Sequence, residues 1–262
     1  MCLLVMASRL VPEEPLIVGA NRDEVLDRPA TPITVLEPGP PRIVGGRDEL
    51  SGGTWLAVNE HGVCAGLTNQ PLGEAKDPSK RSRGELPLAL ARHRTAPDAV
   101  EAFVEGYRPD DYNGAWLLVG DRSSLFFVDF TGLVPPAAIA LPRGIHVLEN
   151  RPLGEDSPKV RLAAATLGVP TTGDEVVEAF HRVATDHRIP DGDDRPHAAN
   201  CVHLESFGTR SSCIVRVRAA GEAPRLWVAA GPPCANDFED AGGLWAAPGC
   251  AGTQAQPRTS GL

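Results

Sequence analysis

The sequence predicts a mixed α+β layered domain built from antiparallel hairpins and pairs of helices. Short apolar runs without helical period, typical of strands, fill residues 2 to 70, and helical spacing follows over residues 82–107. Strand-like segments and then helix-like segments follow again further along the chain. The chain also contains 27 glycines and 25 prolines among its 262 residues, which indicates many turns without reaching the share typical of disorder. The predicted order is strands, helices, strands, helices and strands. This order is typical of an α+β layered domain and not of a parallel βαβ sheet.

The first strands are predicted as hairpins. Residues 2–8 and 16–20 are apolar and flank a turn near Pro12, so they are expected to pair. The proline-bounded segments 31–41 and 42–46 indicate edge or irregular strands. Residues 52–70 form the clearest hairpin, since apolar runs flank the turn Asn59–Gly62, where Gly62 can supply a positive φ.

Four helices and the remaining strands follow. Helices are expected over residues 82–94, after a Thr95 N-cap, after Ser157 with Pro158 at the first helical position, and over 172–187. Strands are expected over 113–121, 123–130, 144–150, 208–221 and 224–231. We predict one domain over residues 1–245 and a flexible Gly/Ala/Pro-rich tail over 246–262.

Composition excludes several functions. The formal net charge of −9 disfavours nucleic acid and anionic membrane surfaces, both of which attract clustered Lys and Arg. No apolar run approaches the roughly 20 residues that span a bilayer, so no stable membrane insertion is expected. The N-terminal apolar run is too short for a secretion signal, which predicts a cytoplasmic protein with reduced thiols.

The cysteines give no metal motif. Six are present, at positions 2, 64, 201, 213, 234 and 250, and none forms a C-x-x-C pair. Cys201 and His203 would point two soft ligands to one side of a strand, but we interpret them as a spare thiol beside a loop histidine. No metal site is therefore predicted, and the common nucleotide, serine-hydrolase and zinc-protease motifs are absent.

Cys2 is the first candidate for chemistry. Removal of Met1 before a small second residue would leave a thiol and a free α-amine on one residue. The α-amine has a reference pKa of about 7.7–8, so it can act as the base for its own thiol near neutral pH. The alternative interpretation is a small apolar side chain buried in a strand.

The segment Asn21–Glu24 is the second candidate. Its four polar residues directly follow an apolar strand, and we expect them at the strand end, on the rim of a site near Cys2. Arg22 would favour a thiolate, and a carboxylate could hold the terminal amine or a substrate group. The alternative is a surface turn with an Arg–Asp ion pair.

Together these motifs resemble a known family. The relevant stretches, in family order, are Met1-Cys2, ANRDE (20–24), GGTWLAV (52–58), GLTN (66–69), RSRGEL (81–86), YNGAWLL (112–118), LEN (148–150), SPKV (157–160) and GTRSS (208–212). The chain is similar to the NRDE family, also called the transport and Golgi organisation type 2 family. The resemblance implies an N-terminal-nucleophile (Ntn) hydrolase-like αββα sandwich, in which two antiparallel sheets are packed between helix layers.

The resemblance also implies roles for matching residues, by analogy with cysteine-type Ntn hydrolases. Cys2 would be the nucleophile, tuned and positioned by Arg22 and Asp23. Asn69 would contact the oxyanion, Asn150 would help hold the intermediate, and Arg210 would support the site electrostatically. The predicted substrate-binding residues are Asn21, Glu24, Trp55 and Thr68. The alternatives are that Asn69 makes a turn, Asn150 ends a strand and Arg210 pairs with Glu205.

Three functions follow from these expectations. The first is an amidohydrolase that cleaves a small amide through a thioester and requires no cofactor. The second, which the family resemblance also carries, is non-catalytic binding or trafficking of haem, acyl-CoA or another lipid on the same scaffold. The third is a structural interaction protein that retains Met1.

Overall fold

The computed structural model describes residues 3–71 and 76–246. These residues form thirteen β-strands and four α-helices. The strands are β1 (Leu3–Val11), β2 (Glu14–Val25), β3 (Ala30–Glu37), β4 (Ile43–Asp48), β5 (Leu56–Asn59), β6 (Cys64–Asn69), β7 (Ala115–Gly120), β8 (Leu125–Phe130), β9 (Ala137–Ala140), β10 (Gly144–Leu148), β11 (Phe207–Val217), β12 (Arg225–Ala229) and β13 (Glu239–Asp240). The helices are α1 (Glu85–Ala91), α2 (Ala96–Gly106), α3 (Pro158–Leu167) and α4 (Gly173–Ala184).

The strands form two antiparallel sheets. The first has the order β10-β1-β2-β11-β12-β13, and the second has the order β3-β4-β5-β6-β7-β8-β9. The predicted β1–β2 and β5–β6 hairpins are confirmed, and Gly62 has a φ of +90° in the second turn. β3 is an edge strand as expected, whereas β4 is internal because β5 covers its other side.

Alternating side chains along β1 divide the interior into layers. Leu3 and Val5 face α3 and α4, whereas Leu4 and Met6 face the second sheet across the central core. This is the period of two expected of a strand buried on both faces. Because α1 and α2 cover the outer face of the second sheet, the molecule is the predicted four-layer αββα sandwich.

Local sequence explains where the helices begin. The hydroxyls of Thr95 and Ser157 accept hydrogen bonds from the backbone N–H groups of Asp98 and Val160, which confirms both predicted caps. Thr172 caps α4 in a full capping box with Glu175.

Two short strands, β9 and β13, lie at sheet edges where the sequence predicted none. β9 is an exposed Ala-rich segment, so no apolar alternation marks it. The division into a domain over 1–245 and a tail over 246–262 stays a prediction, because beyond Ala246 the tail lies outside the described residues. Within the described ranges, no helix is long and apolar enough to span a bilayer, and the cytoplasmic location stays a prediction.

Candidate active site

The Asn21–Glu24 segment forms the C-terminal part of a strand instead of following it. β2 continues to Val25 and is paired with β1 on one side and β11 on the other. Asn21, Arg22 and Asp23 are consequently buried, so the alternative of a surface turn is wrong. The strand tolerates these polar groups because each meets a polar or aromatic partner inside the protein.

Arg22 points toward the second sheet. Its guanidinium carbon lies 4.4 Å from the centroid of the Trp55 ring, a cation–π distance. Its Nη2 lies 3.7 Å from Glu24 and 3.8 Å from Asp48. Burial opposes ionisation of Asp48, but hydrogen bonds from Arg28 and the Ser51 N–H hold its pKa below the ordinary value. Arg22 is thus a buried cation held between an aromatic face and two carboxylates.

Asp23 points the other way, toward the helix layer. Its Oδ1 accepts a hydrogen bond of 2.7 Å from the Thr209 hydroxyl, and its Oδ2 lies 3.7 Å from the Lys159 ammonium. Burial raises the pKa of Asp23, and this effect exceeds the opposite effect of Lys159. The pair therefore places a carboxyl of raised proton affinity beside a buried cation.

A β-bulge lies opposite these two residues. Asp23 pairs with Thr209 and Arg22 with Ser211, so Arg210 is the extra residue of β11. The Arg210 guanidinium donates hydrogen bonds to the carbonyls of Val25, Leu26 and Arg28. Arg210 thus holds the turn that follows β2. These bonds go to backbone carbonyls and do not involve the Glu205 carboxylate, which was the alternative partner.

Asn69 and Asn150 meet where the two sheets come together. The Asn150 side-chain amide donates a hydrogen bond of 2.5 Å to the backbone carbonyl of Asn69. The Thr68 hydroxyl donates one of 2.7 Å to the backbone carbonyl of Glu149. The Glu149 carboxylate accepts a hydrogen bond from the Ser157 hydroxyl at the start of α3. Thr68 and Asn150 therefore link β6 to the segment after β10.

Asn21 is a structural link as well. Its side-chain amide donates to the carbonyls of Ala184 and Asn200 at 2.9 and 3.0 Å. These bonds attach the end of α4 and the loop before β11 to β2.

Five of the ten predicted residues line a cleft of about 240 Å³. It is lined by Arg22, Asp23, Glu24, Arg28, Asp48, Ser51, Gly53, Thr54, Trp55, Leu67, Asn69, Lys76, Arg81, Ser82, Arg83 and Gly84. Five of these side chains are cationic and three are acidic, so the described lining has an excess of positive charge. In a chain of net charge −9, such a cleft is suited to an anionic group.

Two close contacts shape the cleft. A Cβ at Gly53 would lie 2.6 Å from the Gly84 backbone, and a Cβ at Gly46 would lie 1.9 Å from the Trp55 ring. Glycine at these positions lets α1 approach the loop before β5 and lets the Trp55 ring pack closely against β4.

The structure brings together half of the predicted site. The cleft is lined by Arg22, Asp23, Glu24, Trp55 and Asn69, and Asn150 donates a hydrogen bond to the backbone of Asn69. The residues outside the lining are Asn21, Thr68 and Arg210. Cys2 lies outside the described residues. The roles assigned to all ten residues stay predictions.

Sequence reasoning missed Lys159, Thr209 and the cationic wall of Lys76, Arg81 and Arg83. A signal existed for Lys159, since it shares the spacing i, i+4, i+8 with Ala163 and Leu167, the buried face of α3. A charged residue in such an apolar stripe indicates a specific partner, here Asp23.

Comparison with known proteins agrees with this architecture. The sequence model of the family described as Transport and Golgi organisation 2 matches residues 1–225. The Transport and Golgi organization protein 2 homolog of Bos taurus is 27% identical over 245 residues, covering 79% of this chain and 83% of the relative. The homolog of Mus musculus is 26% identical over 236 residues, with the same coverage of both chains.

Solved structures share the fold at low sequence identity. The Caenorhabditis elegans ortholog of N-acylethanolamine-hydrolyzing acid amidase superposes with a TM-score of 0.55 and 13% identity, covering 81% of this chain and 92% of that one. A mutant of the Clostridium perfringens conjugated bile acid hydrolase, with alanine in place of its second-residue cysteine, superposes with a TM-score of 0.50 and 12% identity. That match covers 92% of this chain and 96% of that one. The chain therefore belongs to the Transport and Golgi organisation 2 family that its motifs indicated, and it has the fold of the Ntn hydrolases.

Proposed function

We propose that the protein is an N-terminal-nucleophile amidohydrolase that cleaves a small amide carrying an anionic group, with Cys2 as the nucleophile. The observation that carries this proposal is the convergence of Arg22, Asp23 and Asn69 on one cleft at the Leu3 end of β1. The amidase and bile acid hydrolase named above, which share the fold, make the reaction class a reasonable expectation.

Chain geometry supports Cys2 as the nucleophile. Leu3 pairs with Asn21, the neighbour of Arg22. Leu3 follows Cys2 directly in the chain. A guanidinium close to a thiol lowers the thiol pKa, so Arg22 is the group that we expect to activate Cys2.

The reaction would proceed in two stages. After loss of Met1, the α-amine of Cys2 takes the thiol proton and the thiolate attacks the amide carbonyl. The C–N bond then breaks, the leaving amine receives that proton, and a thioester remains on Cys2. Water, deprotonated by the same α-amine, attacks the thioester and releases a carboxylic acid and the thiol.

Asn69 would supply the transition-state contact. Asn69 lines the cleft, and the Asn150 side-chain amide donates a hydrogen bond to its backbone carbonyl. An amide N–H aimed at a developing oxyanion contributes about 3–4 kcal/mol to lowering the barrier. In this scheme Asn150 is a positioning residue.

The test compares Cys2→Ala with Cys213→Ala on a panel of N-acyl amino acids, with the released amine as readout. Burial raises the pKa of the Cys213 thiol to about 12, which makes it an unreactive control. We expect intact-mass analysis to show an N-terminal Cys2 and a transient acyl adduct, and only Cys2→Ala to abolish turnover. A retained Met1, or full turnover by Cys2→Ala, would refute the mechanism.

Ligand binding without turnover is the second candidate, and the cationic lining is the observation that favours it. Haem propionates and the phosphates of acyl-CoA are anionic and suit such a wall. Among the described lining residues there is no histidine, so haem would be held by its carboxylates. Stoichiometric binding of haem or acyl-CoA with no hydrolysis of any amide in the panel would favour this function.

A further inference from the structure

Four metal-ligating side chains meet in a cluster separate from the cleft. His187 lies in the loop after α4, Cys201 and His203 lie in the loop before β11, and Cys234 follows β12. One potential ligand atom from each of the four residues lies within 4.8 Å of all the others. We call these residues the Cys/His cluster.

The distances within the cluster match a tetrahedral site. Cys201 Sγ lies 3.7 Å from Cys234 Sγ and 3.7 Å from His203 Nε2, and His203 Nε2 lies 3.2 Å from Cys234 Sγ. For Zn–S bonds of about 2.3 Å and Zn–N bonds of about 2.05 Å, ideal tetrahedral edges are about 3.8 Å for S···S and about 3.6 Å for N···S. All three observed separations are within about 0.4 Å of these values.

The hydrogen bond made by His187 leaves its other ring nitrogen available as the fourth ligand. Its Nδ1 lies 3.1 Å from the Cys201 carbonyl oxygen. A carbonyl only accepts hydrogen bonds, so the proton is on Nδ1 and the lone pair is on Nε2. A histidine that donates its second ring nitrogen to a carbonyl is the usual orientation of a metal ligand.

We propose that the Cys/His cluster is a binding site for a structural Zn²⁺ ion. This differs from the sequence prediction, which placed no metal and treated Cys201 and His203 as a spare pair. Two thiolates and two imidazoles in tetrahedral geometry select zinc over oxygen-preferring Mg²⁺ or Ca²⁺. With four protein ligands, the ion has no open position for substrate, which is typical of a structural site.

The location suggests what the ion stabilises. The Val202 N–H donates to the Thr209 hydroxyl, which itself donates to Asp23, and the Asn200 carbonyl accepts from Asn21. Zinc would thus connect the loops around residues 187, 201–203 and 234. The loop before β11 is hydrogen-bonded to Asn21 of β2. Its loss is expected to loosen the partners of Asp23 without removing any residue of the cleft lining.

The test measures zinc in the full chain, purified under reducing conditions without chelator. Elemental analysis should give close to one zinc ion per chain, and cobalt substitution should give the intense visible bands of a tetrahedral thiolate site. His203→Ala and Cys234→Ser are the variants of choice because both side chains are exposed, so the fold should survive. Each should lose the zinc and the cobalt bands, and His146→Ala and Cys213→Ala are the matched controls that should keep both.

Three outcomes would overturn the proposal. They are a chain that binds no zinc at micromolar free metal, equal zinc content in Cys234→Ser and the controls, and a Cys201–Cys234 disulfide in the reduced preparation. None depends on amide hydrolysis, so failure here leaves the proposed function unaffected.

Discussion

Lys159 and Asp23 are a buried ion pair whose electrostatic cost requires an explanation. Lys159 is 2% exposed and its ammonium lies 3.7 Å from a carboxylate that is itself buried. Replacing such pairs by apolar residues is often neutral or stabilising, so a pair kept at a cleft wall points to a role in function. We interpret Lys159 as the cation that limits the rise in the pKa of Asp23 caused by burial.

Replacement of this lysine should give a pH-dependent loss of stability. Burial raises the pKa of Asp23, so the folded state holds the proton more tightly than the unfolded state and stability falls as pH rises above the ordinary carboxyl pKa. Lys159→Met removes the opposing positive charge, which raises this pKa further. The variant should therefore lose about 3 kcal/mol at neutral pH and less at pH 5.

Melting temperatures measured from about pH 4.5 to about pH 8 check this expectation. Lys80→Met, at a half-exposed lysine far along the chain from α3, should show a flat and small difference from the parent protein. A Lys159→Met deficit that does not change with pH would contradict the assignment.

At the scale of elements, the cleft depends on how closely α1 approaches the loop before β5. The backbones of Gly53 and Gly84 are in contact, and the Thr54 N–H donates to the Gly84 carbonyl at 3.0 Å. Two stretches that carried the family resemblance, GGTW and RSRGE, therefore meet in space. Their glycines serve this contact, and the neighbouring Trp55 and Arg83 line the cleft.

Adding one methyl group at Gly84 should disturb this contact. In Gly84→Ala the new Cβ would lie 2.8 Å from Gly53 Cα, so the two backbones must separate. Overpacking of this kind costs about 1–3 kcal/mol, and it should lower both the melting temperature and cleft function. Gly106→Ala is the control, since its Cβ meets nothing within 4 Å and the substitution should be neutral or stabilising. Equal stability of the two variants would contradict this account of the cleft wall.

At the scale of the whole molecule, a cationic cleft is set in an acidic protein. The net charge of −9 repels anions at long range, but screening limits that repulsion to about 8–10 Å at physiological ionic strength. Inside the cleft, the nearby guanidinium and ammonium groups dominate instead. Discrimination for an anionic group should therefore arise at the cleft wall.

A pair of lysine substitutions tests this discrimination. Lys76→Gln removes an exposed cation of the cleft lining, whereas Lys80→Gln removes a lysine outside it. We expect Lys76→Gln to raise the KM or Kd for an anionic amide about fivefold, since an exposed charge pair contributes up to about 1 kcal/mol. A neutral amide of the same shape should be unaffected, and Lys80→Gln should change neither value. Equal weakening of both ligands would argue against charge recognition.

The order of strands and helices was predicted from local rules, whereas the four-layer arrangement was predicted from the family resemblance. Alternation in β1 separates Leu3 from Leu4, and side-chain caps at Thr95 and Ser157 mark helix starts. Arg22 and Trp55 were both predicted as site residues, and the structure brings them into a cation–π contact, although their roles stay predictions.

Long-range contacts could not be predicted in the same way. Cys201 and Cys234 are 33 positions apart and lie in irregular segments, so no spacing rule connects them. The course of β2 was also misjudged, because polarity at Asn21–Asp23 looks like a strand end when the partners at Thr209, Lys159 and Ala184 are not known.

The position of β1 has a practical consequence for handling the protein. Its first described residue, Leu3, is already paired with Asn21, and Leu4 is paired with Leu148, so the strand is held between two neighbours from its start. A purification tag fused ahead of this strand would leave no free α-amine on Cys2, which the proposed mechanism requires. Such a preparation would be inactive for that reason alone, and a tag at the opposite terminus is the better choice.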